Sequence, residues 1–450
     1  MTDTKSGWPT TRICQIWMRK YYRLAALLFL LNAISALLFI LFVNRMAYDD
    51  RYNLADVHRY AHEGVSVDSI RANINPAGPT GFVWMALGAR IFPADELRGA
   101  RVAILISWLL LGAGILIGAR YTSFPSLWYA ASFVTLAFPH AVAATALVLT
   151  EGPALLFATM GSLLLVEFLS KPTYHLTLVP LGIAAGMSIG LAITSRQYYL
   201  TLLPAASLFA LDQWRQRSPQ ARTAWVLPTT LSLMAAILPV LLLVIVWKGL
   251  SSPGMASGSS YGNWTATVGV NIYRPIIVAF YIALYSLPLT FPAMQHLRPK
   301  QRWRTLLVAV LGGVGATHFM SNLLQPGPFN SLIGTLSHGP RGQSLFFGLV
   351  VGVAIYNFVA VGSLLWEQRV ILSSCPAVVF SILAIVFFVA EQLGVQGNIP
   401  FYDRYVIQLA PFLGIVAFAL VPQVNLARLL ALGAMSVLGH SMLWRYALRG

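Results

Sequence analysis

The sequence predicts an all-α, polytopic membrane protein with about 13 transmembrane helices, and three observations carry that prediction. Of 450 residues, 57% are hydrophobic and only 10% are charged, with a mean hydropathy of +0.70, whereas a soluble domain carries about 25% charged residues. Apolar runs of the roughly 20 residues a helix needs to cross ~30 Å of hydrocarbon recur along the whole chain, separated by short polar breaks. The 30 Lys and Arg against 14 Asp and Glu give a net charge of +16, which in a membrane chain is first a topology signal. A soluble protein is excluded, and the basic excess needs no nucleic acid to explain it.

The predicted spans, in order, are 23–43, 102–119, 126–147, 153–169, 176–194, 198–212, 224–247, 270–291, 305–323, 343–365, 371–391, 405–421 and 426–444. The first is preceded by Lys5, Arg12, Arg19, Lys20 and Arg23 and has no small-residue cleavage site after it, so it is expected to be a retained anchor. Pro79 to Phe92 is apolar but short; as a helix it reaches only ~20 Å, so it is expected to lie on the membrane surface. With that placement 16 basic residues fall on the cytoplasmic side, and seven of the remaining 14 gather in one loop. If the stretch crossed instead, the two sides would hold 15 each and the asymmetry would vanish. The N-terminus is therefore expected in the cytoplasm, with residues 44–101 as a first outer loop and 248–269 as a second, within a single integral membrane domain over 1–450. Cys14 and Cys375 stand far apart with no metal-binding spacing.

The first outer loop holds seven of the chain's 14 acids: Asp49, Asp50, Asp56, Glu63, Asp68, Asp95 and Glu96. Asp49 and Asp50 directly follow the first span, where a carboxylate at the membrane surface meets lipid head groups and suits a general base. A solvated acidic loop is the plainer reading of the same composition. His58 and His62 at i, i+4 spacing are a possible metal pair on one helix face, but no third ligand stands at metal spacing, so no metal site is expected. Asn75-Pro-Ala-Gly-Pro-Thr-Gly81 breaks any helix and leads into an interfacial amphipathic helix carrying Trp84, either a structural lid or a guide for a lipid chain.

A working site should draw its charged groups from one face of the membrane. Glu151 at the end of the third span, Arg196 in the turn Thr194-Ser-Arg-Gln197, and Asp403-Arg404-Tyr405 at the start of the twelfth all fall on the predicted outer side, although each alone would serve as an interface anchor. Arginine suits phosphate because its planar fork donates paired hydrogen bonds, which singles out Arg196 and Arg404. Charges at mid-bilayer depth are almost absent: Glu167 and Asp212 fall near the cytoplasmic ends of their spans, and His140, Asn357 and Gln408 are the polar residues noted deeper in, which argues against a transporter. The second outer loop, with Ser251, Gly258, Tyr261 and Trp264, offers aromatic rings for stacking on a sugar or a flexible cover, and Asn263-Trp-Thr265 is a formal glycosylation sequon.

Asp49-Asp-Arg-Tyr-Asn-Leu-Ala-Asp-Val-His-Arg-Tyr60, with Ile74-Asn-Pro-Ala-Gly-Pro-Thr-Gly-Phe82, resembles the first luminal loop of GT-C fold glycosyltransferases. Within that superfamily it is most similar to the dolichyl-phosphate-glucose-dependent alpha-1,2-glucosyltransferases, whose loop carries an acidic pair, an aromatic two residues on, an Arg-Tyr and a Pro-Gly turn. Thr150-Glu151, Arg196-Gln197 and Arg404-Tyr405 with Pro411 beyond match in the same order. The sequence departs from the family at Asp50, where Glu is usual, at Asn53, where His is usual, and in the longer turn; His338-Gly-Pro-Arg341 is at best a remnant of the family's later His-rich loop. The shorter pattern of acidic loop, Pro-rich turn and surface helix is also similar to lipid-linked sugar transferases acting on lipid A or on protein hydroxyls.

The resemblance implies a GT-C-like fold and a membrane glycosyltransferase that moves a hexose, with inversion, from a polyprenyl- or dolichyl-phosphate donor to a hydroxyl of a glycan or lipid acceptor among membrane lipids. It implies Asp49 as catalytic base with Asp50 orienting it, Arg196 and Arg404 as donor-phosphate ligands, and Glu151, Tyr52, Arg59, Gln197 and Tyr405 as positioning residues. No cofactor is expected, since arginine can do a divalent metal's work on phosphate. The expected location is a bacterial inner membrane, with the endoplasmic reticulum as the alternative, and the site on the outer or luminal face. The competing reading is a transporter or flippase of lipid-linked glycans.

Overall fold

The structure, a computed structural model, describes residues 12–47, 49–173, 175–249, 251–254, 266–291, 297, 299–319, 339–397, 403–421 and 426–449. Gly258, Tyr261, Asn263, Trp264 and His338 lie outside the described residues.

A long helix α1 (Arg12–Phe42) leads into the first loop, which carries α2 (Asp50–His62), the short α3 (Val67–Arg71) and α4 (Pro79–Ile91). There follow α5 (Glu96–Gly118), α6 (Pro125–Ala137), α7 (Pro139–Ala143), α8 (Glu151–Ser170), α9 (Val179–Ser195), α10 (Leu202–Arg215) and α11 (Pro219–Trp247). The later half holds α12 (Tyr273–Thr290), α13 (Pro299–Phe319), α14 (Gly339–Glu367), α15 (Arg369–Ser373), α16 (Pro376–Glu391), α17 (Ala410–Leu420) and α18 (Leu426–Arg449). The all-α expectation holds, with one addition: β1 (Ala266–Val268) and β2 (Val395–Gly397) pair antiparallel, Thr267 opposite Gln396.

Among the described residues nine helical segments are long and apolar enough to cross a membrane, and the chain is an integral, multi-pass membrane protein. Four of the 13 expected spans are not among these nine. Residues 126–147 form α6 and α7 rather than one helix, because Pro139 has no N–H to continue the ladder and starts a new helix. Residues 198–212 divide into a 3-10 turn over Gln197–Thr201 and the 14-residue α10. Residues 405–421 divide likewise into a 3-10 segment, Asp403–Leu409, and the 11-residue α17, with Pro411 tolerated in the first helical turn. Helix α13 covers residues 305–319 of the expected span 305–323, whose remaining residues lie outside the described ones.

The bundle packs closely where small residues allow it. On α9, Gly182, Gly186 and Gly190 form one stripe at i, i+4 spacing, and a Cβ on Gly186 would fall 2.0 Å from the Ser232 carbonyl of α11. The opposite side of α11 exposes Leu227, Leu231, Met234, Leu238, Leu241 and Ile245, an apolar face suited to lipid. Asn357 of α14 ties α12 by donating to the Ala283 carbonyl (2.8 Å) and accepting from Thr290 (2.7 Å), and His140 meets the Tyr285 hydroxyl at 3.1 Å. Both polar residues therefore act in helix-to-helix packing.

The first loop has a core of its own. Val57 and Tyr60 of α2, Ala77, Phe82, Met85, Ala86 and Ala89 around α4, Ala100 and Ile104 of α5, and Val148 close into a buried cluster. Helix α4 is helical as expected and too short to span, but Trp84 turns inward: its indole N–H donates to the Ala103 carbonyl (2.8 Å) and its ring meets Phe157 edge-on. This helix is packed into the protein, with Leu87 and Ile91 left exposed.

Candidate active site

Two adjacent carboxylates open α2 and face different surroundings. Successive residues of a helix point about 100° apart, so neighbours 49 and 50 cannot share an environment. Asp50 turns inward and is fully buried. It accepts from Arg101 (2.6 Å) and from the backbone N–H groups of Ala47 (3.0 Å) and Val148 (2.7 Å). Burial pushes its carboxyl above the ordinary value, opposed by Arg101 and the two backbone donors. Arg101, 1% exposed, also donates to the Val43 and Arg45 carbonyls, so this pair pins the end of α1 to α2 and α5.

Asp49 occupies the helix-cap position yet makes no side-chain cap. Its carboxylate instead reaches Arg404, 355 residues away in sequence, at 2.6 Å, with 23% of the Asp49 side chain exposed. Arg404 Nε lies 3.7 Å from Glu151, and Glu151 accepts from Arg196 at 2.5 Å. Asp49, Arg404, Glu151 and Arg196 thus alternate in sign along one line that runs from the partly exposed Asp49 to the buried Arg196. Glu151 Oε2, Arg196 Nε, the Tyr199 hydroxyl and both side-chain polar atoms of Gln408 are buried without a hydrogen-bond partner among the described residues. Glu151, Arg196 and Tyr199 lie together, so their unpartnered atoms leave hydrogen-bonding capacity at the inner end of the line. Burial and nearby Glu151 hold the Tyr199 hydroxyl well above its usual pKa.

Aromatic rings form one wall. Tyr405 lies against Tyr198 with ring centroids 4.7 Å apart, and the guanidinium carbons of Arg404 and Arg196 stand 5.5 and 5.8 Å from the Tyr405 centroid, within cation–π range. The 3-10 geometry at both Gln197–Thr201 and Asp403–Leu409 presents these side chains where a continuous α-helix would not.

The Pro-rich turn docks the loop on the bundle. Asp56 accepts from the N–H groups of Ile74 and Asn75 (both 3.1 Å), from the Asn75 side chain (3.0 Å) and from Arg59 (2.6 Å), and Arg59 also donates to the Ala72 carbonyl. Burial raises the Asp56 carboxyl above its ordinary value against these donors. The clamped turn then meets the helix ends that carry the site: Gly78 N–H donates to the Ser195 carbonyl (3.2 Å) and the Thr80 and Thr194 hydroxyls bond at 2.8 Å. A Cβ on Gly78 would lie 2.0 Å from the Thr194 carbonyl oxygen, and one on Gly81 would lie 2.8 Å from Thr150. These are the residues next to or near Arg196 and Glu151.

Of the sequence-predicted residues, the structure brings Asp49, Glu151, Arg196, Arg404 and Tyr405 together. Asp50 is next door but sealed in its pair with Arg101, Arg59 belongs to the turn clamp, and the Tyr52 hydroxyl accepts from Arg51 at 2.5 Å. Gln197 lines a mostly apolar cleft with Ile193, Val240, Val244, Trp247 and the carboxylate of Glu391, beside the charged line rather than in it. Sequence reasoning missed Arg101, Asn75 and Tyr198; Arg101 entered only as a loop charge, and no spacing in the chain signals its 51-residue reach to Asp50.

No protein-family model matches the chain, and no curated protein matches it. Among solved structures, it is similar to ArnT from Cupriavidus metallidurans in the apo state, with a TM-score of 0.42 and 13% identity over 93% of this chain and 77% of that one. The same protein bound to undecaprenyl phosphate overlays at 0.39 with 14% identity, covering 93% and 78%. An Archaeoglobus fulgidus oligosaccharyltransferase in complex with Zn and sulfate overlays at 0.36 with 12% identity, covering 83% of this chain and 54% of that one. At this depth the overlap concerns backbone path alone, and the chemistry has to come from the side chains.

Proposed function

We propose that the chain is a metal-independent membrane glycosyltransferase of the GT-C type, a single integral membrane domain that moves a hexose from a polyprenyl- or dolichyl-phosphate donor to a hydroxyl of a glycan or lipid acceptor. The observation that supports this best is the alternating line Asp49–Arg404–Glu151–Arg196, in which one partly exposed carboxylate is joined through the half-buried Arg404 and the buried Glu151 to the buried Arg196.

In this reading the acceptor hydroxyl oxygen attacks the anomeric carbon from the face opposite the phosphate. The new O–C bond forms as the C–O bond to phosphate breaks, inverting the anomeric centre. Asp49 takes the hydroxyl proton, and the bond's electron pair leaves with the polyprenyl phosphate. Arg404 and Arg196 stabilise the charge that grows on that phosphate in a site shielded from water. Burial alone would lower Arg196's pKa, but Glu151 outweighs it and raises it, so the guanidinium is permanently charged. Glu151 holds both arginines in place, Tyr405 and Tyr198 supply a wall for a sugar ring, and the apolar cleft at Gln197 suits the first isoprene units of the donor. Asp50, Arg59 and Tyr52 act as positioning residues through the loop backbone. The charge asymmetry of the sequence puts this site on the outer side of a membrane, a bacterial inner membrane being favoured.

Mass spectrometry of lipid-linked and lipid-anchored glycans from membranes with and without the gene tests the proposal. A glycan shorter by one hexose, or lacking one hexose branch, in the deleted strain is expected. Identical glycan profiles combined with an altered sidedness of an otherwise complete lipid-linked glycan would favour the flippase reading and overturn this one.

A further inference from the structure

The exposed end of α2 holds a second constellation, away from the charged line. His58 and His62, one turn apart, both face Glu96, the first residue of α5: His58 Nδ1 lies 2.9 Å from Glu96 Oε2, and His62 Nε2 lies 2.7 Å from Glu96 Oε1. The three ligand atoms lie within 4.8 Å of one another, and the two rings sit 4.3 Å apart. Asp95 caps α5 by accepting from Arg98 N–H (3.0 Å), which fixes the backbone that carries Glu96. The sequence shows the histidine pair; the third ligand comes from 34 residues further on and is visible only once α2 and α5 are packed together.

We propose that His58, His62 and Glu96 form a zinc site, with water completing the coordination. Two imidazole nitrogens and a carboxylate oxygen are a donor set that zinc accepts at about 2.0–2.2 Å, leaving a fourth, solvent-facing position. Donors bound at that length stand roughly 3.3–3.5 Å apart in a tetrahedron, so the ion enters by spreading the present contacts by about half an ångström to an ångström. His58 and His62 are 62% and 57% exposed in their side chains, which keeps the approach open.

The site staples the same two helices that the Asp50–Arg101 pair joins nearer the bundle. His58 stands ~13 Å along the helix from Asp49, at about 1.5 Å per residue, too far to touch a reacting group. The ion is therefore a structural clip that holds α2 against α5 and takes no part in the chemistry at Asp49. The inference stands apart from the glycosyltransferase reading.

The test is zinc binding by the untagged, full-length protein, stripped of metal in detergent and titrated with zinc chloride. Bound zinc is measured by mass spectrometry after dialysis, and the unfolding midpoint is followed in parallel. One zinc per chain is expected, with a midpoint that rises as zinc is added. His58→Ala/His62→Ala should bind at least tenfold more weakly and lose the midpoint rise. Because both side chains are exposed, this variant should keep the metal-free midpoint of the parent, and Glu96→Gln checks the carboxylate independently. Binding by the double variant equal to that of the parent, or no stoichiometric zinc in the parent, overturns the site.

Discussion

Asp49 and Asp50 carry the same functional group one residue apart, and their surroundings assign them opposite tasks. Asp50 and Arg101 are an ion pair removed from water, and taking away one partner of such a pair leaves the other charge buried, at a cost of about 3–5 kcal/mol. Asp50→Asn should therefore unfold the solubilised protein at a markedly lower temperature, measurable by thermal melting, with Asp50→Asn/Arg101→Met recovering much of the loss. A melt of Asp50→Asn unchanged from the parent would remove Asp50's role as the loop's anchor. That the acids mattered was legible in the sequence, through their position after the first span and the resemblance of the loop, which also put Asp49 ahead of Asp50. The buried pairing of Asp50 was not legible, because facing is set by where α2 begins, and that is fixed by Asp50's contacts with Ala47, Arg101 and Val148. The same limit hid Glu96, whose ligand role depends on a contact between two helices.

At the scale of elements, the Pro-rich turn is the joint between the acidic loop and the bundle. Its sequence announced a break in the helix and little more; the reason for Gly78 is the Thr194 carbonyl, which leaves no room for a side chain. Gly78→Ala puts a methyl against backbone that cannot swing aside. Overpacking of this kind typically costs about 1–3 kcal/mol, and the displacement should also move Asp49 relative to Arg404. A lowered melting temperature together with at least a tenfold loss of transfer activity is expected; a normal melt and normal activity would show that the turn does not set the site. The helices themselves were legible from apolar run length, since a continuous apolar run of about 20 residues keeps its backbone groups bonded inside hydrocarbon only as a helix. The break at Pro139 was not, because hydropathy stays high across a proline restart, and at Gln197–Thr201 and Asp403–Leu409 the polar residues were visible but the 3-10 winding was not. Two of those breaks shape the site.

Over the whole molecule, charges scarce in the sequence are gathered from four distant segments into one place, which is the arrangement a single-site enzyme needs. The predicted topology places that site outside. A cysteine at Val65, exposed near the loop's tip, should react with a membrane-impermeant maleimide added to intact cells in a background lacking Cys14 and Cys375. Reaction only after the cells are opened would reverse the orientation. The central claim, that Asp49 is the base of a glycosyl transfer, is met most directly by purified protein in liposomes supplied with a radiolabelled polyprenyl-phosphate hexose and the membrane's own acceptor lipids. The parent should release polyprenyl phosphate and label an acceptor, while Asp49→Asn, with an unchanged melting temperature, should be slower by about a hundredfold or more, the contribution of a general base. Undiminished transfer by a folded Asp49→Asn protein would contradict the account.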